Sequence, residues 1–382
     1  MKKSQIMRLL LVTVLSAALT ACGNNSTAND SNASATDNAS PNTENQEMFF
    51  TFANVTESGP LFVELGKGMK AAAEKAGVEL KVYNNNFDGA TALKNAQLMV
   101  QDKPDLIIEY NGVEGVGNAL QAVFEKSGIP SIGVNVPVPG SHWFNLSNKQ
   151  LGIDAGKELA QAALEKGWKA EETTIIIAQS ATAGTEVNDS VRYFYVSAAE
   201  TLGLEGVAPE SIVPTTTTIG ESLIQVDGKS TLEDTYTSVK NVLQTVDQNR
   251  KLLVFSVNDD STLGAWRAIE ESGRTENTLV AGLGGSEEAL KQLRENPQWV
   301  AEGSIFMSDW GQYLIAMGVA IVNGTEPPAL TPAPQVMLTK ENVNDYYPNG
   351  AVAEKLPPLV EDNMYLKDTG ILQLFGNIQG LE

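Results

Sequence analysis

The sequence predicts an α/β protein built as two doubly wound parallel-sheet domains, and three observations carry that prediction. The chain has 382 residues, too many for one ordinary core and suited to about two domains of roughly 100–200 residues each. From Met48 onward, short β-branched or aromatic runs alternate with stretches of helical periodicity, the signature of βα units and parallel sheets. The alternation pauses around His142–Leu146 and then starts again, which divides the chain near residue 148. With 42% hydrophobic and 19% charged residues, most of the chain buries enough apolar surface to offset its ordering entropy.

Each element follows from local pattern. Phe49–Val55 reads as the first strand. Pro60 opens a helix that places Phe62, Leu65, Met69, Ala72, Ala73 and Ala76 on one face and stops at Gly77. Strand 78–83, helix 90–100, strand 106–110, helix 116–126 and strand 129–134 complete a first layer. The second begins with helix 151–165, strand 173–178 and helix 188–202. It continues with helix 232–246, strand 252–257, helix 261–272, strand 279–282, helix 286–295 and strand 299–306. Pro214–Lys229 has β-branched residues and glycines without a period, which predicts a strand plus an elongated loop. Helix 310–322 precedes Thr325–Gln335, whose four prolines forbid a helix and favour an extended crossing between domains. Beyond Lys340 the pattern predicts nothing regular.

The first 47 residues read as an address. Lys2, Lys3 and Arg8 precede an apolar run, Leu9–Ala21, too short to span a bilayer of ~30 Å as a helix. It ends Leu19-Thr20-Ala21-Cys22-Gly23, which resembles a lipoprotein cleavage site in which Cys22 becomes the lipidated first residue. Residues 23–47 contain no Val, Ile, Leu, Phe or Met and read as a flexible tether.

Composition and motifs exclude most chemistry. The formal net charge is −21, and no polybasic block exists to meet a phosphate backbone, which argues against nucleic acid. Cys22 is the sole cysteine and His142 the sole histidine, so neither a disulfide nor a thiolate metal cluster is expected. Phosphate-loop, Gly-x-Ser-x-Gly, Ser-x-x-Lys and His-Glu-x-x-His signatures are missing; no metal and no cofactor is expected. Asn84, Asn86, Asp88 and Gly89 match an EF-hand start, but Asn95 stands where the bidentate Glu belongs, so a polar loop is the reading. Asp259-Asp260 supplies two acids as a glycosidase needs; neighbours at a strand end usually point apart, so a helix N-cap is preferred. His142, Trp143 and Phe144 form either a ligand clamp or a packed domain edge.

Several blocks, in order, resemble the ribose- and galactose-type periplasmic binding proteins. They are residues 58–77 (SGPLFVELGKGMKAAAEKAG), 102–109 (DKPDLIIE), 127–135 (SGIPSIGVN), 151–160 (LGIDAGKELA) and 256–269 (SVNDDSTLGAWRAI). The resemblance implies two lobes joined by three hinge crossings, with residues 48–148 plus 307–332 forming the first and 149–306 plus 333–382 the second. It implies no enzyme but a monomeric, lipid-anchored receptor that closes on a small sugar or polyol and delivers it to an ABC permease in the membrane. A sensory subunit for a membrane kinase or chemoreceptor, a nucleoside receptor and a surface glycosidase are the competing classes. Carried over by position, Phe62 would stack on the sugar, Asn258 would bind hydroxyls, and Asn135 would be a further contact. The family arginine falls near Asp189, with Arg192 a turn later; the strand-end acid is replaced within Gly282–Gly285, and a late polar contact becomes Phe306. These departures imply another hydroxyl pattern or a more apolar ligand. Asp189 and Arg192, at i and i+3, alternatively pair with each other.

Overall fold

A computed structural model describes residues 48–381; the leader, Cys22 and the tether lie outside the described residues. The first lobe opens with β1 (Phe49–Asn54), α1 (Pro60–Ala76), β2 (Glu79–Asn84), α2 (Gly89–Asp102), β3 (Leu106–Glu109), α3 (Gly117–Ser127), β4 (Ser131–Val134) and β5 (His142–Asn145). β1, β3 and β4 are buried along almost their whole length, as expected of parallel strands covered by helices on both faces. Pro60 at the start of α1 gives up an N–H that has no intrahelical partner anyway, and Gly77 ends the helix in the left-handed region, φ 68°.

The second lobe comprises α4 (Asn148–Glu165), β6 (Thr173–Gln179), α5 (Thr185–Leu202), β7 (Thr218–Ile219), β8 (Leu223–Asp227), α6 (Leu232–Leu243), β9 (Lys251–Ser256), α7 (Asp259–Glu271), β10 (Thr278–Gly284), α8 (Glu287–Glu295) and β11 (Trp299–Ser304). The chain then returns through α9 (Trp310–Val322), β12 (Thr331–Pro332), β13 (Val336–Leu338) and α10 (Val343–Tyr346).

Two sheets result. The first runs β12-β5-β4-β3-β1-β2, parallel throughout. The second runs β13-β11-β10-β9-β6-β8-β7, parallel except for its two outermost strands. Strand order reverses beside β1 in one sheet and beside β6 in the other, and such switch points place a crevice at the carboxyl ends of the strands. The chain passes between the sheets at 145–148, at 304–310 and, through the proline-rich segment, at 332–336. This is the two-domain parallel α/β fold of type I periplasmic binding proteins.

α9 docks on α1 with almost no separation. A Cβ on Gly311 would lie 2.4 Å from the Gly68 carbonyl oxygen, and one on Gly68 would lie 1.9 Å from that of Ser308. Only two glycines let the returning helix seat there.

One open sequence reading is decided and two expectations change. Of the two readings of His142–Phe144 the clamp falls and the packed one stands: β5 pairs with β4 and β12, and Trp143 Nε1 donates to the Asn135 carbonyl at 3.0 Å. The cap of α7 is Asn258, one residue before the two acids, which occupy the first turn. Residues 333–382 do not all join the second lobe. β13 pairs with β11, and Tyr347 shares a hydrogen bond with Ser304 at 2.7 Å. The stretch 361–374 instead packs on α9, because its few apolar residues find cover there. Asn363 donates to the Pro332 carbonyl at 2.7 Å, Asn377 to Asp309 at 2.9 Å, and Lys75 to the Leu374 carbonyl at 3.0 Å.

Candidate functional site: a cleft between the lobes

The carboxyl ends of both sheets face a shared cleft of ≈ 280 Å³, at the small end of ligand pockets. The first lobe contributes Val55 after β1, Leu61 and Phe62 from the start of α1, Phe87 from the β2–α2 loop, Tyr110 after β3, and Asn135 and Val136 after β4. From the second come Ser180, Thr182 and Ala183 after β6, Val187 on α5, Lys229–Thr231 after β8, Val257 and Asn258 after β9, and Leu283 at the end of β10. Leu146, Asn148, Ile305 and Met307 close it along the crossings.

Rings form one wall. Phe62, 8% exposed, meets Phe87 edge-on with centroids 5.4 Å apart and Tyr110 at 6.2 Å. Asn54 Nδ2 donates to the Phe62 carbonyl at 2.9 Å and holds the first turn of α1 in place. Burial pushes the Tyr110 hydroxyl up to about 12, so it stays protonated, and it accepts from Asn135 Nδ2 at 3.2 Å.

Asn135 is the most constrained polar contact. Its backbone sits at φ 60°, a left-handed conformation that asparagine tolerates better than most residues. The conformation is held by its own N–H on the Phe144 carbonyl at 2.9 Å and by Trp143 on its carbonyl. Its side-chain Oδ1 is buried without a protein partner, an acceptor that costs free energy until something donates to it. Asn258 behaves differently: Oδ1 accepts from the Ser261 N–H at 2.9 Å and Nδ2 donates to the Ser230 carbonyl at 3.1 Å. One hydrogen and one lone pair of its amide remain for a ligand.

Of the six positions carried over by resemblance, Phe62, Asn135 and Asn258 line this cleft and Asp189, Arg192 and Phe306 do not. Asp189 and Arg192 form an ion pair along α5, and Arg192 also donates to the Thr185 carbonyl at 2.9 Å. Phe306 is turned away by a left-handed backbone, φ 48°, and stacks on Tyr347 with centroids 5.6 Å apart and planes within 5°. Its neighbours Ile305 and Met307 face the cleft in its place. Sequence reasoning missed Tyr110, Ser180 and Ser230; the first two directly follow β3 and β6, and that position was the available signal, whereas Ser230 stands three residues beyond β8.

Charge is nearly missing from the lining. Lys229 is its sole ionised side chain among the described residues, and its Nζ reaches Asp234 at 3.1 Å. Three nearby carboxylates are engaged elsewhere, whereas Asp260 Oδ2 faces the first lobe, 3.3 Å from where a Cβ on Gly59 would stand. Asp227 accepts from the Ala181 and Lys229 backbones at 3.2 and 3.1 Å, and Asp259 from the Ser286 backbone at 2.7 Å. Glu186 accepts from Asn145 at 2.8 Å, and burial, the largest influence on it, raises its carboxyl above the usual range. The EF-hand-like residues are spent locally: Asn84 accepts from the Asn86 backbone, and Asp88 caps α2 through Thr91.

Comparison with known proteins places this geometry. A family model described as a periplasmic binding protein domain matches residues 50–326. The ribose import binding protein of Bacillus subtilis (strain 168) is 22% identical over 262 residues, covering 66% of this chain and 75% of that one. Among solved structures, an ABC transporter periplasmic solute binding protein from Actinobacillus succinogenes with bound D-allose superposes with a TM-score of 0.66 at 18% identity, over 78% of this chain and all of that one (100%). An ABC transporter solute binding protein from Mycobacterium smegmatis with bound glycerol gives 0.66 at 20%, over 80% and 99%. One from Bacillus halodurans with bound myo-inositol gives 0.64 at 18%, over 78% and 97%. A matched region spanning most of both lobes, with its cleft at the strand ends, settles the kinship: the chain belongs to the periplasmic binding protein domain family, a family of non-enzymatic solute-binding proteins.

Proposed function

We propose that this protein is the lipid-anchored, extracytoplasmic receptor of an ABC importer, capturing a small sugar or polyol by lobe closure and delivering it to the membrane permease. The observation that carries the reading is the two-sided cleft. Rings on one lobe suit the apolar face of a sugar, while hydroxyl and amide groups on the other replace the water its hydroxyls lose. The relatives support it, since they are named for ribose or hold D-allose, glycerol or myo-inositol. Cys22, next to small residues at the end of the apolar leader, supports the anchor.

A thermal-shift screen of the mature protein against pentoses, hexoses, polyols, nucleosides and small amides tests the ligand class. A ligand at 100 times its Kd adds about 2.7 kcal/mol to the folded state, enough to raise Tm by a few degrees. Hits confined to nucleosides or amides would refute the sugar reading. Mass spectrometry of the membrane-extracted protein tests the anchor, which fails if Cys22 carries no acyl chains.

A further inference from the structure

We propose that the cleft is built for a monosaccharide that lacks at least one hydroxyl or carries it as an alkyl ether, in preference to a fully hydroxylated pentose or hexose. The inference rests on the sugar reading above and concerns the chemistry of the same site.

Four observations carry it. Beyond its rings the first lobe's wall is largely aliphatic, with Val55, Leu61 and Val136, and Val187, Val257 and Leu283 set carbon among the polar groups of the second. A hydroxyl buried against such a wall has given up its water and received nothing in return. No guanidinium or carboxylate lines the cleft among the described residues, and the one ammonium there, Lys229, is paired with Asp234 at 3.1 Å, so a bidentate charged grip on a vicinal hydroxyl pair is missing. Two of the nearby acids cannot swing in without breaking what they hold, since Asp227 secures two backbone N–H groups and Asp259 one. Nor can the end of β10 supply a polar side chain at Gly284. A Cβ there would lie 2.5 Å from Asp259 Oδ2 and 2.7 Å from Leu61 Cδ1 of the opposite lobe, on a backbone at φ 152°.

What remains for polar recognition is limited. Asn135 Oδ1 waits buried for one donor and Asn148 Nδ2 for one acceptor, Asn258 keeps one hydrogen and one lone pair, and the Ser180, Thr182, Lys229 and Ser230 side chains line the second lobe's side. These groups can satisfy part of a ring's hydroxyls, while the aliphatic side chains offer only carbon to the rest of its surface. A methyl in place of a hydroxymethyl, or an O-methyl in place of a hydroxyl, matches that division.

Calorimetric titration of matched pairs tests it: D-galactose against D-fucose, D-glucose against 6-deoxy-D-glucose, and D-glucose against its methyl glucosides. The expected result is that in at least one pair the deoxygenated or O-methylated member binds about tenfold tighter than its parent. Val257→Thr, an isosteric change that adds a hydroxyl to the wall, should narrow that gap, with the ligand-free Tm reporting whether the variant is folded. Equal or tighter binding by the parent in every pair overturns this proposal and leaves the sugar reading standing. Binding of no sugar or polyol at all overturns both.

Discussion

Asn145 on β5 donates through Nδ2 to Glu186 Oε1 on α5 at 2.8 Å, and the bond ties one lobe to the other beside the first crossing. Asn145 is buried and Glu186 half-buried, and the bond spans the two lobes, so its geometry depends on how they sit. If closure forms it, Glu186→Ala should weaken ligand binding by roughly fivefold, the equivalent of about 1 kcal/mol for one lost hydrogen bond, although Glu186 lies outside the cleft lining. Glu186→Gln keeps an acceptor for Asn145 and should restore affinity. Calorimetric titration checks both, and an unchanged Kd in Glu186→Ala would show that the bond does not follow closure.

Glu109 makes folding depend on pH. Its carboxyl is fully buried at the end of β3, with Asn85 Nδ2 donating to it at 2.8 Å, and burial pushes it up to about 8. Because the folded value lies above the unfolded one, the folded protein holds a proton that the unfolded chain releases. The contribution is complete below the ordinary value of 4.5 and drains away as pH rises toward 8. Glu109→Gln should flatten this slope and stabilise the protein by on the order of 2–4 kcal/mol at pH 8. Denaturant titrations of both proteins at pH 5 and pH 8 decide the matter; an equal slope for the two would place the titration elsewhere.

Asn258 carries two burdens that a single alanine cannot separate. It lines the cleft, and it caps α7 while gripping the Ser230 carbonyl. Asn258→Ala should therefore cost about 0.5–2 kcal/mol in the empty protein, besides any loss of affinity. Asn258→Asp retains the capping oxygen and removes the amide hydrogens. An Asp variant with near-normal Tm and weakened ligand binding would isolate the contact; normal binding would leave Asn258 a cap alone.

Tyr347 fastens the C-terminal segment to the second crossing. Its ring lies flat on Phe306, and its hydroxyl shares a hydrogen bond with Ser304 at 2.7 Å. Tyr347→Phe should cost about 1 kcal/mol. Tyr347→Ala, which also opens a cavity beside Phe306, should cost about 3–5 kcal/mol. Denaturant unfolding distinguishes these outcomes, and equal costs would mean that the stacking contributes nothing.

The alternation of strands and helices from Phe49 to Val322 was legible in the sequence because two different periods, two and about 3.6 residues, announce it locally. Prolines 327–334 likewise announced the third crossing, because a missing N–H is a local fact. Phe62, Asn135 and Asn258 were found through the resemblance to the ribose- and galactose-type binding proteins, whose blocks are contiguous in sequence. What failed depends on tertiary geometry. Phe306 is aimed by one left-handed residue; β5 is four residues long and exists only because β4 offers it an edge. Asp189 and Arg192 occupy a recognisable position but satisfy each other. Lys229 and Ser230 enter the cleft through two consecutive left-handed residues, φ 49° and 61°, which no periodicity announces.

The C-terminal segment turns a hinge into a bounded one. Arg294 of the second lobe grips the Gly350 carbonyl at 3.1 Å, and Leu356 donates to the Asn377 carbonyl at 2.7 Å beside Asp309 of the first. Between Gly350 and Leu356 the backbone, pulled straight, reaches at most roughly 20 Å. While both ends hold, that stay sets an upper bound on how far the two lobes can part.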